Sequence, residues 1–113
     1  TGMAIDIKSR RPVLGNISGG LSGPAIKPIA LQKVMQVYEV AGPQNIPIMG
    51  QGGISSANDA IEFMIAGAST IGIGTALFID PLVCKKINVG LEKYLVDHSI
   101  DAIGSLTGSL IKD

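Results

Sequence analysis

Two short runs of apolar residues, each ending in glycines, set the pattern of the chain. The first is Ile46–Ile54, reading Ile-Pro-Ile-Met-Gly-Gln-Gly-Gly-Ile; the second is Ser69–Thr75, reading Ser-Thr-Ile-Gly-Ile-Gly-Thr. Neither alternates apolar with polar, as expected of strands buried on both faces of a parallel sheet. The other apolar positions recur at helical spacing. Leu31, Val34, Met35 and Tyr38 fall at i, i+3, i+4 and i+7; Ala57, Ala60, Ile61, Met64 and Ile65 form a second stripe; Val83, Ile87, Leu91 and Leu95 form a third. Only Met3, Ile5 and Ile7 alternate with polar neighbours, which predicts a half-exposed strand returning through Pro12–Gly15 as a hairpin.

Local signals bound these elements. Pro28 suits a first helical turn, and Gly42 followed by Pro43 predicts the stop of that helix. Ser56 with Asp59 three residues on resembles a capping box, and Gly67 is placed to end the helix it opens. Asp80 with Pro81 predicts an N-cap and first-turn proline for a helix over Leu82–Leu95. A last helix, Asp101–Lys112, is weakened by Gly104 and Gly108.

The starts of the two apolar runs lie roughly 24 residues apart, as a right-handed βαβ crossover requires. Strand, glycine turn and helix, twice in tandem, predict an α/β fold. It is read as the C-terminal part of a (β/α)8 barrel, comprising its last two βα units with a preceding hairpin and a Gly-rich loop, Asn16–Gly23. All 113 residues would then belong to one part of a single domain. Two parallel strands leave both sheet edges open, so such a chain must dock on the rest of a barrel or on copies of itself. The start at Thr1, inside a strand-like pattern, points the same way.

Composition narrows the functions. Nine Lys+Arg balance nine Asp+Glu without clusters, and two Phe, two Tyr and no Trp offer no stacking surface, so nucleic acid is not expected as a partner. The Ala60–Ile79 region is interrupted by Glu62, glycines and hydroxyls, so no membrane span is expected. The single Cys84 and the lack of a secretory leader pattern fit a cytoplasmic protein.

The chemistry lies in the turns. Gly52-Gly53 and Gly74-Thr75 follow successive strands and would share one end of the sheet, where backbone N–H groups and the Thr75 hydroxyl can take a phosphate. The plain alternative is a pair of tight βα turns without a ligand. Lys27 is expected to be solvated, Cys84 a packed thiol, and His98 a surface residue at a helix end. Asp59 and Asp80 are read as caps. No nucleophile–base pair and no metal spacing is legible, so no catalytic residue is assigned.

Three segments taken together, Gly19–Pro28 (Gly-Gly-Leu-Ser-Gly-Pro-Ala-Ile-Lys-Pro), Ile46–Ile54 and Gly67–Ala76, resemble dihydroorotate dehydrogenase, and most closely its NAD-linked class. The resemblance runs from Gly2 to about Ile100 and corresponds to the C-terminal third of such an enzyme. It implies a TIM barrel carrying FMN and the oxidation of dihydroorotate to orotate in pyrimidine synthesis. It implies FMN contacts at Gly23, Gly52, Gly53, Gly74 and Thr75. It also implies a homodimer of catalytic subunits, or a heterotetramer with an electron-transfer subunit carrying FAD and an iron–sulfur cluster. The family's catalytic cysteine, flavin-contacting lysine and orotate-gripping asparagines have no counterpart here, and Cys84 is not that cysteine. The chain alone is therefore expected to be inactive. The alternatives are a non-catalytic, self-associating segment, or another FMN barrel such as a pyrimidine reductase.

Overall fold

The computed structural model describes every residue from Thr1 to Asp113. The two glycine-ended runs become β3 and β4, after a hairpin of β1 (Ile5–Asp6) and β2 (Arg11–Pro12). β3 (Met49–Gln51) lies parallel to β4 (Thr70–Gly72), with Met49 opposite Thr70, Gly50 opposite Ile71 and Gln51 opposite Gly72. The strand starts later than its apolar run because Pro47 has no N–H to donate. The preceding contact is made by the Ile48 carbonyl, which accepts from the N–H groups of Ser69 and Thr70 at 2.8 and 3.2 Å.

Three helices pack around this pair: α1 (Lys27–Ala41), α2 (Ala57–Ala66) and α4 (Val83–Asp97), with the short α3 (Thr75–Ile79) between β4 and α4. α2 is central. Its Phe63 is the one large side chain fully buried, and it contacts both strands' surroundings: a Cβ at Gly50 would lie 2.7 Å from the Phe63 ring and 3.0 Å from Ala68. Gly50 is thus a strand glycine required by close approach of a neighbouring ring. Val34 of α1 and Val83 and Ile87 of α4 complete the core with Ile54, Ala60 and Ala66.

The caps of α2 form as expected. Ser56 Oγ accepts the Asp59 N–H at 3.2 Å, and Gly67 closes the helix with φ 129°. The return bond of the capping box lands one residue early: Asp59 Oδ2 accepts the N–H of Ser55 at 3.0 Å. α1 stops at Ala41, as the Gly42-Pro43 signal predicts, although Gly42 stays right-handed at φ −57° and leads into a short 3-10 turn that the left-handed Asn45 ends at φ 56°. Other boundaries differ. Asp80 is not the N-cap of α4. Its N–H returns to the Ala76 carbonyl at 2.9 Å, which makes it the end of α3, and its carboxylate accepts the Leu82 N–H at 3.0 Å in a turn ahead of Val83. The helix expected over Asp101–Lys112 is reduced to one 3-10 turn, Ile103–Leu106, in keeping with its two glycines.

The hairpin is antiparallel, Ile5 opposite Pro12 and Asp6 opposite Arg11, and its turn is held by Asp6, whose carboxylate accepts from Lys8 N–H (3.0 Å) and Ser9 Oγ (2.7 Å). Neither hairpin face is covered, and Ile7 is 86% exposed. The expected double burial of β3 and β4 is likewise incomplete: Gly50 is buried, but Met49 and Thr70 are exposed. The reason is the missing lateral neighbours. The radius of gyration is 16.9 Å, whereas a compact chain of this length has about 13 Å. The accessible surface is 7846 Å², against about 5,800 Å² for a monomer of this mass. The excess is the size of a substantial interface, and it agrees with the open edges expected from two barrel strands.

Because Phe63 is the one large side chain fully buried in the core and packs against β3 at Gly50, its truncation removes the centre of the core. Phe63→Ala is expected to cost about 3–5 kcal/mol in denaturant unfolding. A loss below about 1 kcal/mol would show that the core is organised elsewhere.

Candidate functional site

Parallel pairing of β3 and β4 brings both glycine turns to the carboxyl end of the sheet. The Gly-rich loop before α1 closes over them. Between the three lies a cleft of about 400 Å³, and Gly23, Gly52, Gly53, Gly74 and Thr75 all line it. The structure therefore brings every site residue expected from the sequence to one place.

The approach of the turns depends on glycine. Gly53 has φ 74°, and a Cβ there would lie 2.8 Å from the Gly23 carbonyl oxygen and 2.9 Å from the Lys27 backbone nitrogen. Gly52, at φ 120°, is seated as tightly against Ala30. Gly74 differs: a Cβ there would meet nothing in the chain. Across the cleft, Thr75 Oγ1 donates to Ser22 Oγ at 2.9 Å. Ser22 was not singled out from the sequence; its only signal is its place in the Leu-Ser-Gly stretch before Gly23.

No lining residue carries a charge. What the cleft offers instead is backbone. The N–H groups of Gly23, Gly52, Gly53 and Gly74 donate to no backbone or side-chain acceptor in the chain, although Gly23 is a buried residue. Gly52 and Gly53 are half-buried and Gly74 is exposed, so the cost of an unpaired buried N–H falls on Gly23; free N–H groups on adjoining turns are the kind of donor an anionic oxygen accepts from. The cradle and the phosphate expected from the sequence are chemically matched.

The other candidates lie elsewhere. Cys84 is exposed, not packed as expected, because the first turn of α4 projects it from the core side occupied by Val83 and Ile87. His98 is exposed at the end of α4, stacked on Tyr94 at 3.9 Å between ring centroids, with Nδ1 2.9 Å from the Tyr94 carbonyl oxygen. Lys27 is not solvated. Its Nζ reaches Asp59 Oδ1 at 2.7 Å and Glu62 Oε2 at 2.6 Å, pairing across 32 and 35 residues of sequence. Both carboxylates raise the lysine's pKa through their hydrogen bonds, Asp59 first.

Burial alone would push Asp59 upward, but the Lys27 ammonium and the Ser55 N–H outweigh it and hold the carboxyl at about 2. An Asp with its folded pKa below the unfolded value stabilises the fold above the unfolded pKa of about 3.9, and that contribution is lost as pH falls through the folded pKa. Stability is therefore expected to drop by about 1 kcal/mol, allowing for solvent screening, between about pH 5 and pH 2. Denaturant unfolding across that range tests this against Asp59→Asn, which removes this component. Parallel pH profiles for the two proteins would contradict it.

Residues 1–95 match the family model described as dihydroorotate dehydrogenase. The dihydroorotate dehydrogenase B (NAD(+)) catalytic subunit of Citrifermentans bemidjiense is 53% identical over 110 residues, covering 97% of this chain and 35% of that protein. The corresponding subunit of Desulforamulus reducens is 53% identical over 108 residues, covering 96% and 34%. The crystal structure of DHODH from Eimeria tenella in complex with ferulenol superposes with a TM-score of 0.75 at 27% identity, over 96% of this chain and 29% of that one. The chain thus spans about a third of the length of the curated relatives it matches, and it shares their α/β fold. On this match of sequence and of fold, the chain belongs to the dihydroorotate dehydrogenase family.

Proposed function

We propose that this chain is the C-terminal third of the catalytic subunit of an NAD-linked dihydroorotate dehydrogenase, and that its cleft takes the phosphate of FMN. In this reading, residues 1–113 are the last two βα units of a (β/α)8 barrel with the hairpin and Gly-rich loop before them. The observation that carries the phosphate assignment is the set of unpaired N–H groups at Gly23, Gly52, Gly53 and Gly74 around an uncharged cleft. With the hydroxyl of Thr75 beside them, they supply donors to an anion without a counter-charge, as preorganised backbone sites do. Glycine at 53 lets its turn meet the Gly23 loop, and glycine at 52 lets the same turn sit against α1.

The chemistry FMN supplies when bound is acceptance of a hydride as dihydroorotate is oxidised to orotate in the synthesis of UMP. The residues of this chain bind and orient; the base that removes the substrate proton lies in the part of the subunit outside it. The isolated chain is accordingly inactive. The relatives' name, an NAD(+) catalytic subunit, supports a partner subunit; in this reading that partner passes electrons onward through FAD and an iron–sulfur cluster. The complete assembly is read as a cytoplasmic homodimer of catalytic subunits, or a heterotetramer with the electron-transfer subunit. No helix is long and apolar enough to cross a membrane.

A second reading, a non-catalytic segment that associates with itself, draws support from the excess exposed surface. Phe78 is 93% exposed and Ile79 79%, close to the mouth of the cleft. Docking on the remaining two-thirds of the subunit covers such surface equally well and also leaves the cleft with a role.

The test is FMN binding by the complete subunit. Gly53→Val drives a branched side chain into the Gly23 carbonyl and is expected to lower FMN affinity at least about tenfold. Gly74→Ala meets nothing in the chain, so its effect on unfolding is expected to be small while FMN affinity falls. Wild-type affinity in Gly53→Val would remove the clamp.

A further inference from the structure

The ion cluster of Lys27, Asp59 and Glu62 has a place in the fold that capping of α2 does not explain. Lys27 is the first residue of α1 and follows the cleft-lining loop through the single turn Pro24–Ile26. Asp59 sits in the first turn of α2, which follows the Gly52-Gly53 turn. The two oxygens of Asp59 face different ways. Oδ1 takes the Lys27 ammonium at 2.7 Å, while Oδ2 accepts from Ser55 N–H at 3.0 Å and Ser55 Oγ at 3.2 Å. A chain of polar contacts therefore runs from Lys27, at the foot of the Gly23 loop, through Asp59 to Ser55, two residues after Gly53. Glu62 also accepts from the ammonium, at 2.6 Å.

The same two segments touch directly at Gly53, whose position leaves no room for a Cβ against Gly23 O and Lys27 N. None of the three charged residues lines the cleft. At 28% and 14% side-chain exposure, Lys27 and Asp59 form a pair more shielded than an ordinary surface bridge.

We propose that Lys27 is a positioning residue: held by Asp59 and Glu62, it fixes the spacing between the Gly23 loop and the Gly52-Gly53 turn, and so sets the affinity of the cleft for a phosphate it does not touch. This rests on the reading of the cleft as a phosphate site. The charge balance separates this role from direct attraction. The cluster carries one positive and two negative groups. Replacing Asp59 by Asn makes it neutral and releases the lysine, both of which favour an anion nearby. Asn also keeps an oxygen for the Ser55 N–H, so the cap survives. If Lys27 served the phosphate by its charge, Asp59→Asn would hold or raise affinity; as a strut, it lowers it.

FMN affinity is measured in the complete subunit for wild type, Lys27→Met, Asp59→Asn, the double variant and Lys27→Arg. Each of Lys27→Met and Asp59→Asn is expected to lower affinity about tenfold, and the double variant to fall within about threefold of the weaker single, as coupled neighbours do. Lys27→Arg, whose fork can engage both carboxylates, is expected to stay within about threefold of wild type. Additive losses, or unchanged or tighter binding in Asp59→Asn, would overturn the proposal. Should Lys27→Met fail to fold, Glu62→Gln is the substitute, with an expected loss of about twofold, and wild-type affinity counts against the strut. A wild-type subunit that binds no FMN would instead refute the reading of the cleft. The strut is then judged by amide exchange at Gly53: faster in Lys27→Arg-rescuable fashion on Lys27→Met supports it, and an unchanged rate overturns it.

Discussion

The close contact of the Phe63 ring with the backbone at Gly50 is the interaction on which the other features depend. It presses α2 onto β3 where Gly50 pairs with Ile71 of β4, leaving no space for a side chain on the strand. With α2 fixed there, Val34 of α1 and Ile87 of α4 close on either side. The parallel register then decides the location of the site. Gln51 opposite Gly72 places the two following turns side by side, and a slip by one residue would part Gly52-Gly53 from Gly74-Thr75.

The cleft shows how a family signature becomes a physical object. Its glycines divide into two kinds. At Gly52 and Gly53 the missing side chain lets neighbouring segments meet; at Gly74 it leaves space that the chain itself does not fill. The N–H groups of these turns are unpaired because a sharp strand-to-helix turn satisfies neither a ladder nor a helix. In the proposed reading an uncharged cradle of this kind takes an anion by geometry, and its precision would rest on whatever holds the three loops in register. The Thr75–Ser22 hydrogen bond ties the loop before α1 to the start of α3, and the Lys27 ion pairs tie the start of α1 to α2.

The sequence was informative where the physics is local. The stripe ending at Tyr38, the Ser56–Asp59 box, the stop at Gly67 and both strand-to-glycine turns depend on residues within a few positions of one another, and each is present. Gly52, Gly53, Gly74 and Thr75 could be named because a turn after a parallel strand has only one place to go, whereas Gly23 was reached only through the family resemblance. Long-range outcomes were not legible. Lys27 looked like a solvated lysine because its partners lie 32 and 35 residues away. Cys84 looked packed because composition does not say which side of a helix turn meets the core. Gly42 followed by Pro43 does stop α1 at Ala41, but the left-handed residue beyond it is Asn45, not Gly42. Phe63 falls outside the stripe read for α2, because that helix is buried on more than one side.

If the cleft recognises a phosphate through backbone donors, as proposed, it must discriminate between flavins that differ only in that group. Titration of the complete subunit with FMN and with riboflavin, at matched ionic strength, compares the same ring system with and without the anion. FMN is expected to bind at least about a hundredfold more tightly, the scale of several charge-assisted hydrogen bonds. Equal affinities for the two flavins would contradict it.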